Sequence, residues 1–363
     1  MIRPSRASHK GFFWLNIFWA GMAFFILGFA LIGCGSNNES SGQAPTGDDD
    51  DIVDDDTAAD DDTSPSDDDS GNQETPDIII WTADGIAGSV KAFDKTGTQI
   101  AEATGFVGPR WVSVTSSGGV WVAEMDGGNV FLLNVTGNEL IKVEAPNHPI
   151  SVSYSPFDGT CWVGDTDGKV WRFDDTGNKL TEVSELGSPA IVSAKTFDGS
   201  CWAIDSDAGG LYRITADATV QTISTELGSE YSVLACNADP KDCWIADFDK
   251  GILARFSAQT LTEELRIENL YYPKALDVDP QNGDVWVGIV NRTLLYSREG
   301  ETKLDLSGFY CISQVAADPV DHSAWVADLS KLYKISPTGA ILIEIPNWEL
   351  LYSVSVGILP SQK

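Results

Sequence analysis

From Ile78 onward, short runs rich in Val, Ile, Trp and Phe alternate with turns rich in Asp and Gly. One stretch shows the pattern. Pro149-Ile150-Ser151-Val152-Ser153-Tyr154 alternates apolar and polar positions, then Pro156-Phe157-Asp158-Gly159 turns. Cys161-Trp162-Val163-Gly164 is a second run, closed by Asp165-Thr166-Asp167-Gly168. Lys169-Val170-Trp171-Arg172-Phe173 is a third, followed by Asp174-Asp175-Thr176-Gly177, and Asn178–Val183 is a fourth. Short β-rich runs bounded by such turns predict strands, and nothing in residues 78–363 carries a helical period.

The second run recurs. Trp81, Trp121, Trp162, Trp202, Trp244, Trp286 and Trp325 follow one another at steps of 40, 41, 40, 42, 42 and 39 residues, each opening a stretch like Trp-Val-Ala-Asp. A fixed period near forty with four strands per period predicts the blades of a β-propeller. Seven Trp-bearing second strands and seven candidate innermost strands, beginning near Arg110, Ile150, Ala190, Tyr231, Lys274, Cys311 and Tyr352, predict seven four-stranded antiparallel blades. The chain enters on a second strand, Ile78–Asp84, and leaves on an innermost one. The last blade is therefore expected to close the ring by pairing Ser353-Val354-Ser355-Val356 beside Ile79-Ile80-Trp81, which removes an open sheet edge.

The motifs Pro273-Lys274-Ala275-Leu276-Asp277-Val278-Asp279-Pro280 before Trp286-Val287-Gly288, and Val170-Trp171-Arg172-Phe173-Asp174-Asp175-Thr176-Gly177, resemble those of NHL-type and streptogramin-lyase-like propellers. The resemblance covers residues 78–360 and implies the fold. It does not imply an activity, because propellers host unrelated functions. Streptogramin lyases are expected to use a His and Glu constellation with magnesium, and no His-x-Glu occurs here. Lactonase-type propellers hold a metal with Glu, Asn and Asp of innermost strands, for which Glu230, Asn237 and Asp277 are scattered matches.

Residues 1–10 are polar and basic, 11–33 almost wholly apolar, and Cys34 follows at once. This order reads as an export signal over 1–33, outside the fold. Leu31-Ile32-Gly33-Cys34 resembles the lipobox of bacterial lipoproteins, which implies cleavage before Cys34 and diacylation of its thiol. More than one acyl chain is what stable anchoring requires. Gly35 in place of Asp points to the outer membrane, on either face, rather than retention at the inner one. Residues 34–77 read as the lipidated Cys followed by a disordered tether. Positions 35–77 hold sixteen acidic residues and no Lys or Arg, and such a run cannot bury enough apolar area to offset its ordering entropy.

The net charge is −31, of which −18 belongs to residues 78–363. That excludes a nucleic-acid partner held through phosphates and disfavours anionic lipid headgroups, while cationic and neutral partners are tolerated. The seven Trp read as core, and the Asp ending each Trp-x-x-Asp stretch as an acceptor for N–H groups of the following turn. Asp165 and Asp167 have the opening spacing of a calcium loop without its later ligands. No cofactor is expected, and calcium or magnesium is the ion such turns could take. Cys236 and Cys243 flank a hairpin and predict a disulfide in an exported protein, while Cys161, Cys201 and Cys311 read as buried small hydrophobes.

Propeller function collects at one mouth of the central channel. The segments preceding the innermost strands place Arg110, Trp111, His148, Glu230, Tyr231, Tyr272, Lys274, Tyr310, Trp348 and Glu349 there, as a ligand site or as plugs of the channel. No catalytic residue stands out. The expected function is a monomeric, membrane-anchored binding module for a protein, peptide or glycan. A metal-dependent lyase or lactonase and an architectural envelope protein are the alternatives.

Overall fold

The computed structural model describes residues 76–144, 147–184, 186–187, 190–206, 209–229 and 231–360. The export segment, Cys34 and the acidic tether lie outside the described residues. The period read above forms one antiparallel sheet. Pro149–Tyr154 is innermost, Cys161–Asp165 second, Val170–Phe173 third and Lys179–Val183 outermost. The outer hairpin of each period turns on a side-chain acceptor. Asp94 Oδ1, for example, accepts Thr96 N–H at 2.9 Å and Thr98 N–H at 3.0 Å, as Asp174 does in its own turn.

The described strands form a β-propeller of six sheets, five with four strands and one with six. The expectation of seven separate blades is therefore corrected. In most periods a loop interrupts the chain between an outermost strand and the next innermost one. Here Ile341–Ile358 runs on as one long strand through Asn347-Trp348-Glu349-Leu350. Its first half pairs with the end of Ala324–Ile335, from Lys331↔Pro346 to Ile335↔Ile341. Its second half pairs with Ile78–Asp84, from Ile78↔Ile358 to Asp84↔Leu351, with Trp81 opposite Ser355. The first and last described strands are thus hydrogen-bonded together, and the six-stranded sheet contains both.

All seven second-strand Trp are fully buried. Each sits in a seam, packed on the inner strands of the next period. Trp81 lies with Val112, Val122 and Phe131, and Trp162 with Val192, Ala203 and Ile214. Removing such a side chain costs about 3–5 kcal/mol. Cys236 and Cys243, direct partners on neighbouring strands, form the expected disulfide, and Cys161 and Cys201 are free and buried.

Candidate functional site

Innermost segments of every period surround the channel, including Trp111–Ser113, Val152–Ser153, Leu276–Asp277 and Val354–Ser355, and they enclose about 50 Å³. That space holds a few waters, far below the ~300–1,000 Å³ of sites that take small molecules. Two features fill it. Trp111 packs on the seam of Val152 and Trp121 at its own side and on that of Val233, Ala235 and Leu276 across the channel. Lys195 Nζ reaches Asp277 Oδ1 from another innermost strand at 3.4 Å.

The innermost strands are also stitched to one another. Ser113 Oγ accepts Tyr154 N–H (2.9 Å), Ser153 Oγ accepts Ala194 N–H (2.9 Å), and Ser193 Oγ accepts Cys236 N–H (3.0 Å). Asp277 Oδ2 takes the same part for Ala317 N–H (3.0 Å), and Ser355 Oγ for Val114 N–H (3.2 Å). An innermost strand is a sheet edge with N–H groups unpaired on its open side, and a buried unpaired N–H is costly. The alternating Ser of these strands are legible in the sequence, but their partner lies about forty residues away. Asp277 is engaged by this seam and by Lys195, and Asn237 Nδ2 donates to Asp279 O (3.3 Å); Glu230, the third lactonase-like match, lies outside the described residues. Among the described residues no three His, Cys, Asp or Glu side chains are grouped to hold a metal ion.

At the end where the innermost strands begin, here the upper end, the carboxylates of the second strands work across the loop. Asp84 accepts Glu349 and Leu350 N–H (2.9 and 3.0 Å), Glu124 accepts Val107 N–H (2.7 Å), and Asp205 accepts Gly187 N–H (2.7 Å). Asp247 accepts Gly228 N–H (3.0 Å) and Asp328 accepts Tyr310 N–H (2.9 Å). These acceptors mainly fasten the segment entering the innermost strand. The following turn is a second client, as in Ala87 N–H to Asp84 (3.1 Å). Asp165 serves its own turn through Asp167 and Lys169 N–H (3.0 and 2.8 Å) and Trp171 Nε1–H (3.3 Å). Burial raises its carboxyl pKa against those bonds. Asp167 accepts Asn147 Nδ2–H (2.8 Å). The two candidate calcium ligands are thus occupied by turn chemistry.

The predicted face residues divide into groups. Tyr231, Phe248, Tyr272 and Tyr271 form a ladder with successive ring centroids 5.2, 4.8 and 4.5 Å apart. Tyr271 and Tyr310 are 63 and 59 % exposed, and Tyr272 37 %. Lys274 Nζ lies 3.0 Å from Cys311 Sγ, which brings the loop bearing Tyr310 beside the loop bearing Tyr271 and Tyr272. Burial brings the Lys274 ammonium down to about 8, opposed by Asp328 and assisted by Arg110. Arg110 stacks over Tyr352 at 4.2 Å, a partner sequence reading missed along with Phe248. Burial lowers the Arg110 pKa, against Tyr352 and Asp126. His148 Nδ1–H donates to Met125 O (3.0 Å). Desolvation raises Asp126, opposed by His148 and Arg110.

Two predicted residues stand elsewhere. Trp111 belongs to the channel filling. Trp348 is buried against Phe93 (5.8 Å) with Lys91 over its ring (4.9 Å), and its Nε1–H donates to Ile345 O (3.1 Å), so it is core and not face. It sits inside the long strand that joins two periods, so it is not at a loop tip. Glu349 is exposed, its N–H fixed by Asp84. Glu230 lies outside the described residues.

Backbone conformation adds a signal. Gly108, His148 and Tyr272 immediately precede Pro109, Pro149 and Pro273, and all are left-handed, with φ of 64°, 55° and 52°. Tyr231 is left-handed as well, at 68°. Glycine takes this conformation without steric cost, whereas a bulky residue does so at roughly 1 kcal/mol or more.

No family model matches the chain, and no curated protein matches it. Solved structures share the fold. Virginiamycin B lyase from Staphylococcus aureus superposes with a TM-score of 0.56 at 16% identity, over 66% of this chain and 84% of that one. A streptogramin B lyase gives 0.58 at 15%, over 69% and 86%. A functionally unknown protein from Desulfotomaculum acetoxidans gives 0.66 at 11%, over 78% and 99%. The chain is thus a propeller similar in architecture to these lyases, and identities this low carry the fold alone.

Proposed function

We propose that this chain is an exported, lipid-anchored propeller whose upper face binds a protein, peptide or glycan. The N-terminal order of basic, apolar and Cys34 residues supports the anchoring, and Cys34→Ser should move the protein from the membrane to the soluble exported fraction on fractionation. Retention in the membrane would speak for a spanning segment instead.

The observation that carries the binding reading is the left-handed backbone at His148, Tyr231 and Tyr272, where Gly108 shows that the loop accepts glycine. Strain of this kind collects at ligand-contacting sites, and Tyr271, Tyr272 and Tyr310 are exposed at the end of a channel whose innermost strands enclose about 50 Å³. An exposed group of aromatic rings suits a macromolecular partner. Partners recovered with the wild-type protein should be lost with Tyr271→Ala/Tyr272→Ala at unchanged melting temperature. Equal recovery by both would count against this face.

A further inference from the structure

We infer that the upper face docks a cationic peptide segment, its Lys or Arg side chains set against the rings of Tyr271, Tyr272 and Tyr310. This rests on the binding reading above and adds the chemistry of the partner.

The first observation is the aromatic surface. Three Tyr from two adjoining loops are exposed together, and Tyr272 is backed by Phe248 and Tyr231. A ring offers its negative face to a cation, for about 0.5–1 kcal/mol at exposed sites and about 2 when desolvated.

The second is the charge around it. The loops that frame the ladder, 226–232, 247–251 and 268–274, contain Glu226, Glu230, Asp247, Asp249 and Glu268 against Lys250 and Lys274, and Arg266, just before the last of them, pairs with Glu263 and acts on Glu226 and Glu268. Both lysines are turned onto the protein. Lys250 Nζ donates to Glu226 O and lies 3.7 Å from Asp247, and Lys274 Nζ lies against Cys311 Sγ. Behind the loops, the buried carboxylates of Asp84 and Glu124 are bonded by backbone N–H groups, which satisfy them without cancelling their charge, while Asp328, bonded by Tyr310 N–H, has the Lys274 ammonium near it. At the opposite end the carboxylates are matched instead by Arg172, Arg213 and Lys334. The field at the ladder is therefore negative, which attracts a basic segment and repels an acidic one. A neutral glycan would stack on the rings but leave that charge unused.

The test uses the full chain in detergent and a peptide alternating Lys and Gly that carries one benzophenone photo-crosslinker. An Asp–Gly peptide and a neutral oligosaccharide with the same group serve as comparisons. The inference expects the Lys peptide to label Tyr271, Tyr272 or Tyr310, with labelling that weakens as salt rises. It expects Tyr271→Leu/Tyr272→Leu to reduce that labelling about tenfold or more, the equivalent of about 1.4 kcal/mol. Tyr310→Leu is the second variant should the double variant melt early. Labelling confined to the acidic positions 48–69, or labelling unchanged by the Tyr variants, would overturn it. Tyr-dependent labelling by the acidic peptide or the oligosaccharide would overturn the cationic partner while keeping the binding face. If no probe labels the face in a Tyr-dependent way, both readings fall.

Discussion

The two ends of the propeller are built from the same repeat and treat charge in opposite ways. At the lower end, where innermost strands pass into second strands, carboxylates meet cations. Arg172 donates to Asp158 (2.6 Å) and to Thr160 Oγ1 (3.1 Å), Arg213 pairs with Asp198, and Lys334 lies 2.9 Å from Asp318 and 2.7 Å from Asp321. His322 Nδ1 meets Asp279 at 2.7 Å. Burial alone would raise Asp158, Asp198 and Asp321, yet hydrogen bonds and the adjacent cations hold all three below the usual carboxylate range. At the upper end, burial wins at Asp165 and desolvation wins at Asp126, so both are raised, and Asp247, with Ser229 and Lys250, is the exception. The lower end is self-satisfied and reads as scaffold. The upper end holds several buried carboxylates through backbone N–H groups and exposes Tyr271, Tyr272 and Tyr310, with His148, Tyr231 and Tyr272 in left-handed backbone, a conformation that Ala218, Leu261 and His322 take at the lower end as well.

The largest expected effect breaks the lower end. Lys334→Met leaves Asp318, 1 % exposed at its side chain, without its cation. Stranding a buried charge costs about 3–5 kcal/mol, visible as an early denaturant midpoint. A loss under ~1 kcal/mol would mean that the lower-end pairs are ornamental.

The second expectation separates the ends by pH. A carboxylate whose folded pKa lies below its unfolded value of about 3.9 contributes stability above that pH, and the contribution fades as pH falls through the folded value. Asp198 is such a group. A carboxylate whose folded pKa is raised works the other way, because its protonation favours the fold, and Asp165 is such a group. Asp198→Asn should cost about 1–2 kcal/mol at pH 7, and the loss should shrink as pH drops below about 4. Asp165→Asn, although the deeper residue, should cost less at pH 7, since its burial opposes ionisation and Asn keeps an oxygen for the turn. Urea midpoints from pH 3 to 7 decide this, and an equal or larger loss for Asp165→Asn would erase the contrast.

The scaffold was largely legible in the sequence. The Trp spacing gave the strands, the seams and the pairing of Ile78–Asp84 with the C-terminal strand, because a repeat states each local pattern many times. The sheet count was not legible, since it depends on whether Asn347–Leu350 loops out or stays extended, a choice that no turn residue marks there. Trp348 was misplaced for the same reason. The Ser seam of the channel was missed because period-two alternation reports which face a Ser occupies, and not which strand it reaches. Of the face residues, His148 and Tyr272 stand in loops directly before a Pro, a position the sequence displays. The packing of Trp111 across the channel, onto two separate core clusters, required the geometry.

The central claim is that the upper-face rings are kept at the expense of stability. Equilibrium unfolding of Tyr272→Gly beside Tyr272→Ala tests it most directly. In ordinary loops and strands Ala is the more stable of the two by roughly 0.5–1 kcal/mol, but at a left-handed position the order inverts. The account predicts that Tyr272→Gly is more stable than Tyr272→Ala by about 1 kcal/mol and lies within about 1 kcal/mol of the wild type. A Tyr272→Gly variant less stable than Tyr272→Ala, or one that loses the 3–5 kcal/mol typical of a core aromatic, would show that Tyr272 serves the fold and would contradict the account.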